Sequence, residues 1–157
     1  MEEQTTGCLV CGAPLEYFPS QIEMECTYCH KTFMSNARCV NGHFICDSCH
    51  EQMGLRVIED ICRHTDSKDP VAIMKKIILS PYIYMHGPEH HVLVGSALLA
   101  AYKNAGGELD LDAALEEMRN RGAQVPGGIC GLWGTCGAAV STGIFVSLIT
   151  GASPLSG

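Results

Sequence analysis

The spacing of apolar residues changes along the chain near Cys46. Before this point apolar and polar residues alternate over residues 15–17 and 22–24, on either side of residues 19–20, a Pro-Ser pair. This alternation predicts a β-hairpin that turns at the proline. After Cys46 apolar residues recur every three or four positions, which predicts helices. The pattern therefore predicts an α+β chain, in which a small N-terminal β module precedes a mostly α-helical domain of about five helices.

Helix-capping and helix-breaking residues mark the ends of the predicted helices. The starts are expected at Asp69-Pro70, Gly87-Pro88, Asp110 and about Cys136, and the ends near His64, Ser80-Pro81, Gly106-Gly107 and Gly122. We divide the chain accordingly into a metal-binding module (1–50), a connecting helix (51–68) and a helical domain with a glycine-rich cysteine loop (69–157).

No charged side chain follows Arg121, and the apolar stretch 129–149 is long enough to raise the question of a transmembrane helix. It begins in a Pro-Gly-Gly loop, has no flanking Lys or Arg, and is rich in Gly, Ser and Thr. A helix of small residues that is buried by its neighbours fits better, with part of its surface serving as a subunit interface. We therefore expect a homo-oligomer or a complex with a partner enzyme, and no membrane insertion.

The composition narrows the functional classes. The formal net charge of −7 offers no electrostatic attraction to a nucleic-acid backbone. Ten cysteines are many for 157 residues, but the N-terminus is acidic and polar and lacks the apolar stretch of a secretory signal. We therefore expect a cytoplasmic protein whose reduced thiols are available for metal.

Most of the cysteines fall at metal-ligand spacing within the first fifty residues. Two segments, CTYCH and CDSCH, each match the attachment motif of a c-type haem when taken alone. Two haems would leave three thiols at ligand spacing without a purpose, whereas two zinc ions use every ligand. The zinc ligands predicted are Cys8, Cys11, Cys26, Cys29, Cys39, His43, Cys46 and Cys49.

Two pairings of these ligands are compatible with the spacing. In the sequential pairing the first four cysteines hold one zinc and the last four ligands hold the other, and we prefer it because the predicted hairpin closes the first site locally. In the cross-braced pairing Cys8 and Cys11 join Cys39 and His43. Either way both sites are closed and structural. His30 and His50 directly follow a ligand cysteine and are expected outside the metal shell.

Two known architectures resemble this region. CLVCG…MECTYC, over about residues 6–34, is similar to the zinc-ribbon family. The ligands from Cys26 to Cys49 resemble the first six of a RING finger, although the final RING pair is absent downstream, where Cys62 is the next cysteine. Cys62 itself is predicted on the apolar face of the first helix.

A candidate functional site lies in the helical half. Glycines surround Cys130 and Cys136, and the free amides at a helix N-terminus would favour the thiolate of Cys136. The segment HGPEHH supplies His86, His90 and His91 as partners, as metal ligands or as a general base. A third metal bound between these cysteines and histidines is one possibility.

The segments HHVLVGSALLAAY and GGICGLWGTCGAAVSTGIFVSL, within residues 88–150, resemble the redox-active family named for its C-GCAxxG-C-C pattern. The resemblance implies a small helical redox or metal-associated protein, with Cys136 in the family's Cys-Gly-Ala position. His90-His91 stands where that family has a cysteine, and the later cysteine pair is missing. The N-terminal fusion also resembles small uncharacterised prokaryotic zinc-ribbon proteins.

Three functional classes remain: a thiol- or metal-dependent catalyst, a protein that hands on metal or sulfur, and a non-catalytic adaptor whose zinc module docks on a partner enzyme or RNA. The cluster of histidines and cysteines favours the first two classes, and the closed zinc module favours the third. We expect a cytoplasmic zinc protein with a His/Cys functional site in its helical domain.

Overall fold

The computed structural model describes residues 7–84 and 87–156. The chain forms two compact units, Met1–Met53 and Gly54–Gly157, and a helix runs through the boundary between them. The architecture is a small two-stranded antiparallel sheet followed by helices, which confirms the predicted α+β class.

The first unit is built on one long hairpin. Strands β1 (Leu15–Glu25) and β2 (Thr32–Cys39) pair antiparallel, from Leu15 opposite Cys39 to Glu25 opposite Thr32. An ion pair crosses the strands, because the Arg38 guanidinium donates to Glu16 at 2.8 Å. The pairing is irregular between residues 17 and 22.

The predicted turn at residues 19–20 is wrong. Pro19 and Ser20 lie inside β1, within the stretch where the register shifts, and a proline without an N–H is tolerated at such an irregularity. The hairpin turns instead at residues 26–31, where the Cys26 N–H donates to the Lys31 carbonyl at 2.9 Å and His30 adopts a left-handed φ of 57°. A pair of predicted metal ligands, Cys26 and Cys29, therefore forms the turn.

The described residues contain six helices, of which one is a single turn. They are α1 (Asp47–His64), α2 (Pro70–Ile78), α3 (His90–Asn104), α4 (Leu111–Gly122), α5 (Ile129–Leu132) and α6 (Gly137–Thr150). Their ends follow the local signals in the sequence: the Asp69 carboxylate accepts from the Val71 N–H at 2.8 Å, and the Asp110 carboxylate from the Ala113 N–H at 3.1 Å. Gly87-Pro88 precedes α3 by a short turn.

Helix α3 is central to the core of the second unit, where it packs against α2, α4 and α6. Leu99 of α3 is fully buried together with Ile73 of α2 and Leu115 of α4, and so is Cys62, as its apolar helical position predicts. Burial raises the pKa of the Cys62 thiol to about 12, so it remains protonated. Cys62 is thus a core residue.

Small residues allow α3 and α6 to approach closely. The Gly95 N–H in α3 donates to the Ser141 hydroxyl in α6 at 2.7 Å, and Ser141 is fully buried. A methyl group on Gly95 would lie 2.6 Å from the Ser141 carbonyl oxygen and would also overlap the Met118 side chain. The crossing therefore requires glycine at position 95, and it fixes how the two helices face each other.

None of the described helices is both long enough and apolar enough to cross a membrane.

Replacing Asp110 by alanine removes the side-chain cap of α4. We expect the free energy of unfolding to fall by about 1 kcal/mol, because an N–H in the first turn loses its acceptor. Chemical denaturation of the metal-loaded protein measures this, and Asp110→Asn is the control, since asparagine caps equally well. Equal stability of all three proteins would contradict the role of the cap.

Candidate metal centres

The predicted zinc ligands gather into two groups of four. Within each group the ligand atoms lie within 4.8 Å of one another. Site 1 consists of Cys8, Cys11, Cys39 and His43, and site 2 of Cys26, Cys29, Cys46 and Cys49. Each group can therefore hold one metal ion.

The sequential pairing is wrong, and the structure has the cross-braced one. The reason is the length of β1: eleven extended residues at about 3.3 Å each place the two ends of the strand roughly 35 Å apart. Cys11 precedes one end and Cys26 follows the other, so they cannot share an ion. Antiparallel pairing instead puts Cys39 opposite Leu15, beside the first cysteine pair.

The distances between ligand atoms fit tetrahedral coordination. Metal–sulfur bonds of about 2.3 Å imply sulfur atoms roughly 3.8 Å apart. The Sγ atoms of Cys29 and Cys46 are 3.8 Å apart in site 2, and those of Cys11 and Cys39 are 3.5 Å apart in site 1. His43 presents Nδ1 to site 1, 3.8 Å from the Cys8 Sγ. Both groups are therefore already arranged to enclose an ion.

Backbone amides point at the sulfur atoms. In site 1 the Val10 N–H donates to the Cys8 Sγ at 3.4 Å, and the Asn41 N–H donates to the Cys39 Sγ at 3.3 Å. In each case the donor lies two residues after the acceptor, so the two halves of site 1 repeat the same turn. These bonds stabilise thiolates, the form of cysteine that binds metal.

The thiols of each group differ in acidity. In site 1, hydrogen bonds from the Ala13 backbone and then from the Asn41 side chain lower the pKa of Cys11 to about 6, while burial raises the pKa of Cys39.

In site 2, burial raises the pKa of Cys26, but backbone N–H groups outweigh burial and bring the pKa to about 6. Burial, and then the hydrogen bonds that the Cys49 thiol donates to neighbouring cysteine sulfur atoms, raise the pKa of Cys49 to about 12. In each site, one thiol thus ionises readily, and its negative charge favours the protonated form of a neighbouring thiol. A bound cation would stabilise both thiolates and so remove this opposition between them.

The two histidines that follow ligand cysteines belong to neither group. His30 is exposed, and its Nδ1 lies 2.9 Å from a Glu25 carboxylate oxygen. His50 is buried in the first turn of α1. The ligand set of the described residues is therefore complete without them.

The candidate residues of the helical unit are brought together only in part. Cys136 is the N-cap of α6 and is exposed, and Cys130 is exposed in α5. The His90 Nε2 bonds to the Tyr84 carbonyl at 2.7 Å, so it donates there and secures the loop before α3. His86 lies outside the described residues. No third group able to hold a metal occurs within residues 7–84 and 87–156.

His91 is the histidine that meets the α6 N-terminus. It is 9% exposed, and its Nδ1 has no hydrogen-bond partner among the described residues. A methyl group on Gly137, the residue after Cys136, would lie 2.5 Å from the His91 Cδ2 and 3.2 Å from its Nε2. The imidazole edge that carries Nε2 therefore rests on the first residue of α6.

Gly95 and Ser141, which bring the two helices into this contact, belong to no motif that predicts a functional site. His91 and Gly95 lie four apart on α3, and Gly137 and Ser141 lie four apart on α6. Residues at this spacing share a helix face, so the two pairs meet along the crossing. Small residues four apart on both helices are the sequence signal that would have predicted the crossing of α3 and α6.

We expect metal-loaded protein purified without oxygen to contain two zinc ions per chain and no haem, which elemental analysis and the absorption spectrum measure. Cys26→Ser should lower the zinc content and unfold the N-terminal unit, because the binding energy of a structural metal is folding energy. The matched control is Cys130→Ser, an exposed cysteine outside both groups, which should keep both ions. A Soret band from covalently bound haem would contradict the assignment.

The chain matches the model of a known protein family. The model of a family of unknown function, DUF5714, covers residues 58–157, more than half of the chain. Neither the curated proteins nor the solved structures contain a match to the chain. The comparisons thus give no support to the resemblances to zinc ribbons and to the C-GCAxxG-C-C family. By its helical half, the chain belongs to the DUF5714 family.

Proposed function

We propose that this is a cytoplasmic zinc protein in which two structural zinc ions hold the N-terminal unit and a thiol site in the helical unit carries the activity. The thiol is that of Cys136, and His91 is its partner. The observation that supports the site best is the buried imidazole of His91: its Nδ1 has no hydrogen-bond partner among the described residues, and its Nε2 edge lies against Gly137.

Zinc is the metal that suits both groups. Three thiolates with one imidazole, and four thiolates, are the donor sets typical of structural zinc. All four positions of each tetrahedron would be taken by the protein, so no position remains for water or substrate. We therefore assign folding energy, and no chemistry, to these ions.

The helical unit provides what a reactive thiol needs. Cys136 is exposed, at the start of a fourteen-residue helix whose free N–H groups favour negative charge. His91 offers an imidazole nitrogen beside the next residue, where it can accept the thiol proton or hold an acidic group of a substrate.

The rate of alkylation tests the thiol site. In metal-loaded protein treated with iodoacetamide, we expect Cys136 to react at least about tenfold faster than Cys130, because only Cys136 has both the helix N-terminus and the imidazole. His91→Gln should bring the Cys136 rate close to that of Cys130. Peptide mass spectrometry at several reaction times measures both rates.

The matched control is His90→Gln, which changes the adjacent histidine whose Nε2 bonds to the Tyr84 carbonyl. This variant should leave the Cys136 rate unchanged. If His91→Gln also leaves it unchanged, while circular dichroism shows that the helices are intact, His91 and Cys136 do not form a site.

An adaptor is the second candidate, and one observation favours it. The N-terminal unit exposes large apolar side chains: Tyr17 is 73% exposed, Met34 59% and Val40 51%. Solvated strands normally carry polar residues there, and aromatic residues and methionine are enriched in protein interfaces. In this case the zinc ions would shape a docking surface for a partner enzyme, and the thiol of Cys136 would be unremarkable in its reactivity.

A further inference from the structure

The first turn of α6 has backbone donors that its own helix leaves unpaired. The first bond of the helix runs from the Val140 N–H to the Cys136 carbonyl at 3.1 Å, so the N–H groups of residues 137–139 have no acceptor within α6. Cys136 is the N-cap residue, but its side chain makes no capping bond. By contrast, the carboxylates of Asp69 and Asp110 cap α2 and α4. The start of α6 thus lacks the anionic acceptor that these two helices have.

The buried imidazole of His91 is a second, independent observation that indicates a ligand at this place. The residue is 9% exposed, and its Nδ1 is enclosed without a hydrogen-bond partner among the described residues. A buried polar side chain is normally hydrogen-bonded, and the nitrogen that remains for such a bond is Nε2. A methyl group on Gly137 would lie 3.2 Å from Nε2, so this nitrogen faces the first residue of α6. The imidazole and the backbone donors of α6 therefore meet at one place.

The surroundings of the ring determine which nitrogen carries the proton. A neutral imidazole has one N–H donor and one acceptor nitrogen. An N–H at Nδ1 of His91 would be buried without an acceptor, which is unfavourable, whereas an N–H at Nε2 can donate to a group bound at the start of α6. His91 thus adds a side-chain donor to the backbone donors of the helix.

The segments that form this place bring no negative charge to it. No charged residue follows Arg121, so α6 and the loop before it are uncharged. The acidic residue nearest to His91 in sequence is Glu89, whose buried carboxylate accepts from the Tyr84 N–H at 3.1 Å. Glu89 and His91 are two residues apart, about 200° around the helix, so their side chains leave α3 on nearly opposite sides. Residues 131–136 are all exposed, which leaves the approach from solvent open.

We propose that His91 and the N-terminus of α6 form an anion-binding site that holds the carboxylate of a small substrate beside the Cys136 thiol. This inference rests on the thiol site proposed above and names the class of its substrate. A carboxylate has two oxygen atoms, so one can accept from the His91 Nε2 and the other from the backbone of α6.

The position of Cys136 selects the reactive part of the substrate. Because Cys136 directly precedes Gly137, the sulfur reaches a carbon that lies next to a carboxylate bound at the start of α6. The substrate class is therefore a short carboxylate with an electrophilic carbon beside the carboxyl group. In the reaction, the thiolate sulfur forms a bond to this carbon, and the leaving group departs with the electron pair of the bond that breaks.

The site should make Cys136 prefer an alkylating reagent that carries a carboxylate. Iodoacetate and iodoacetamide both lose iodide to the attacking thiolate, but only iodoacetate is an anion. In the full-length, zinc-loaded protein we expect the ratio of the iodoacetate rate to the iodoacetamide rate to be at least about fivefold higher at Cys136 than at Cys130. Mass spectrometry with peptide fragmentation measures both cysteines in the same molecule. Sodium sulfate should slow the iodoacetate reaction at Cys136 more than sodium chloride does at equal ionic strength.

A variant of His91 tests the side-chain donor. His91→Leu removes both nitrogen atoms and keeps an apolar group of similar size against Gly137, so the rate ratio at Cys136 should fall to that at Cys130. The matched control is His90→Leu, which changes the histidine that bonds to the Tyr84 carbonyl and should keep the wild-type ratio. Circular dichroism and zinc content show whether the variants are folded, and the wild-type comparison decides the proposal without them.

The proposal is overturned if the wild-type ratio is equal at the two cysteines, if sulfate protects no better than chloride, or if folded His91→Leu keeps the wild-type ratio. These results differ from a failure of the reactive thiol, which the iodoacetamide rates alone decide. A fast iodoacetamide reaction at Cys136 with equal ratios keeps the thiol site and removes the anion-binding site. A raised ratio with an ordinary iodoacetamide rate keeps the anion-binding site and contradicts the activation of the thiol.

Discussion

The length of one β-strand constrains the whole N-terminal unit. Because β1 is extended over eleven residues, the ligand pairs at its two ends are too far apart to share an ion. The partners of each pair must then lie on β2 or after it in sequence. Antiparallel pairing places Cys39 at one end of β1, and the turn at the other end contains Cys26 and Cys29. The hairpin therefore determines which ligands can share an ion, and ions bound there would in turn stabilise a two-stranded sheet that is marginal on its own.

The helical unit depends on a different constraint, the space between α3 and α6. Gly95 and Ser141 let the two backbones come close, and this closeness presses the His91 imidazole onto Gly137. The packing of α3 against α6 therefore determines the position of the His91 imidazole. A larger side chain at any of these small positions would separate the helices and move the imidazole away from the N-terminus of α6.

Local signals in the sequence were sufficient for the capped starts of α2 and α4. Asp69 and Asp110 cap α2 and α4 as predicted, because a cap depends only on the few residues that follow it. The turn of the hairpin was missed for the opposite reason. Pro19-Ser20 is a local turn signal, but long-range pairing of β1 with β2 overrides it.

The identity of the metal ligands is likewise a local property of the sequence, whereas their pairing depends on the fold. Cysteines separated by two residues indicate a metal site, whereas their assignment to one ion or the other depends on strand direction, which spacing does not encode. Likewise, three histidines close together in sequence predict a site but do not identify which histidine belongs to it. The structure distinguishes them: His91 packs against Gly137, whereas the His90 ring bonds to the Tyr84 carbonyl.

The interleaving of the two metal groups also matters while the chain is being synthesised. A ribosome releases the N-terminus first, so Cys8, Cys11, Cys26 and Cys29 are all outside the ribosome before any residue of β2 or α1 has emerged. Those four thiols are a complete ligand set for a wrong tetrahedron, one that a flexible nascent chain can form and the finished fold cannot contain. An ion bound at that stage has to be released from these four ligands when β1 pairs with β2. Correct assembly thus requires one of two conditions. Either metal binds only after Cys49 has left the ribosome, or thiolates exchange between ions faster than the rest of the module folds.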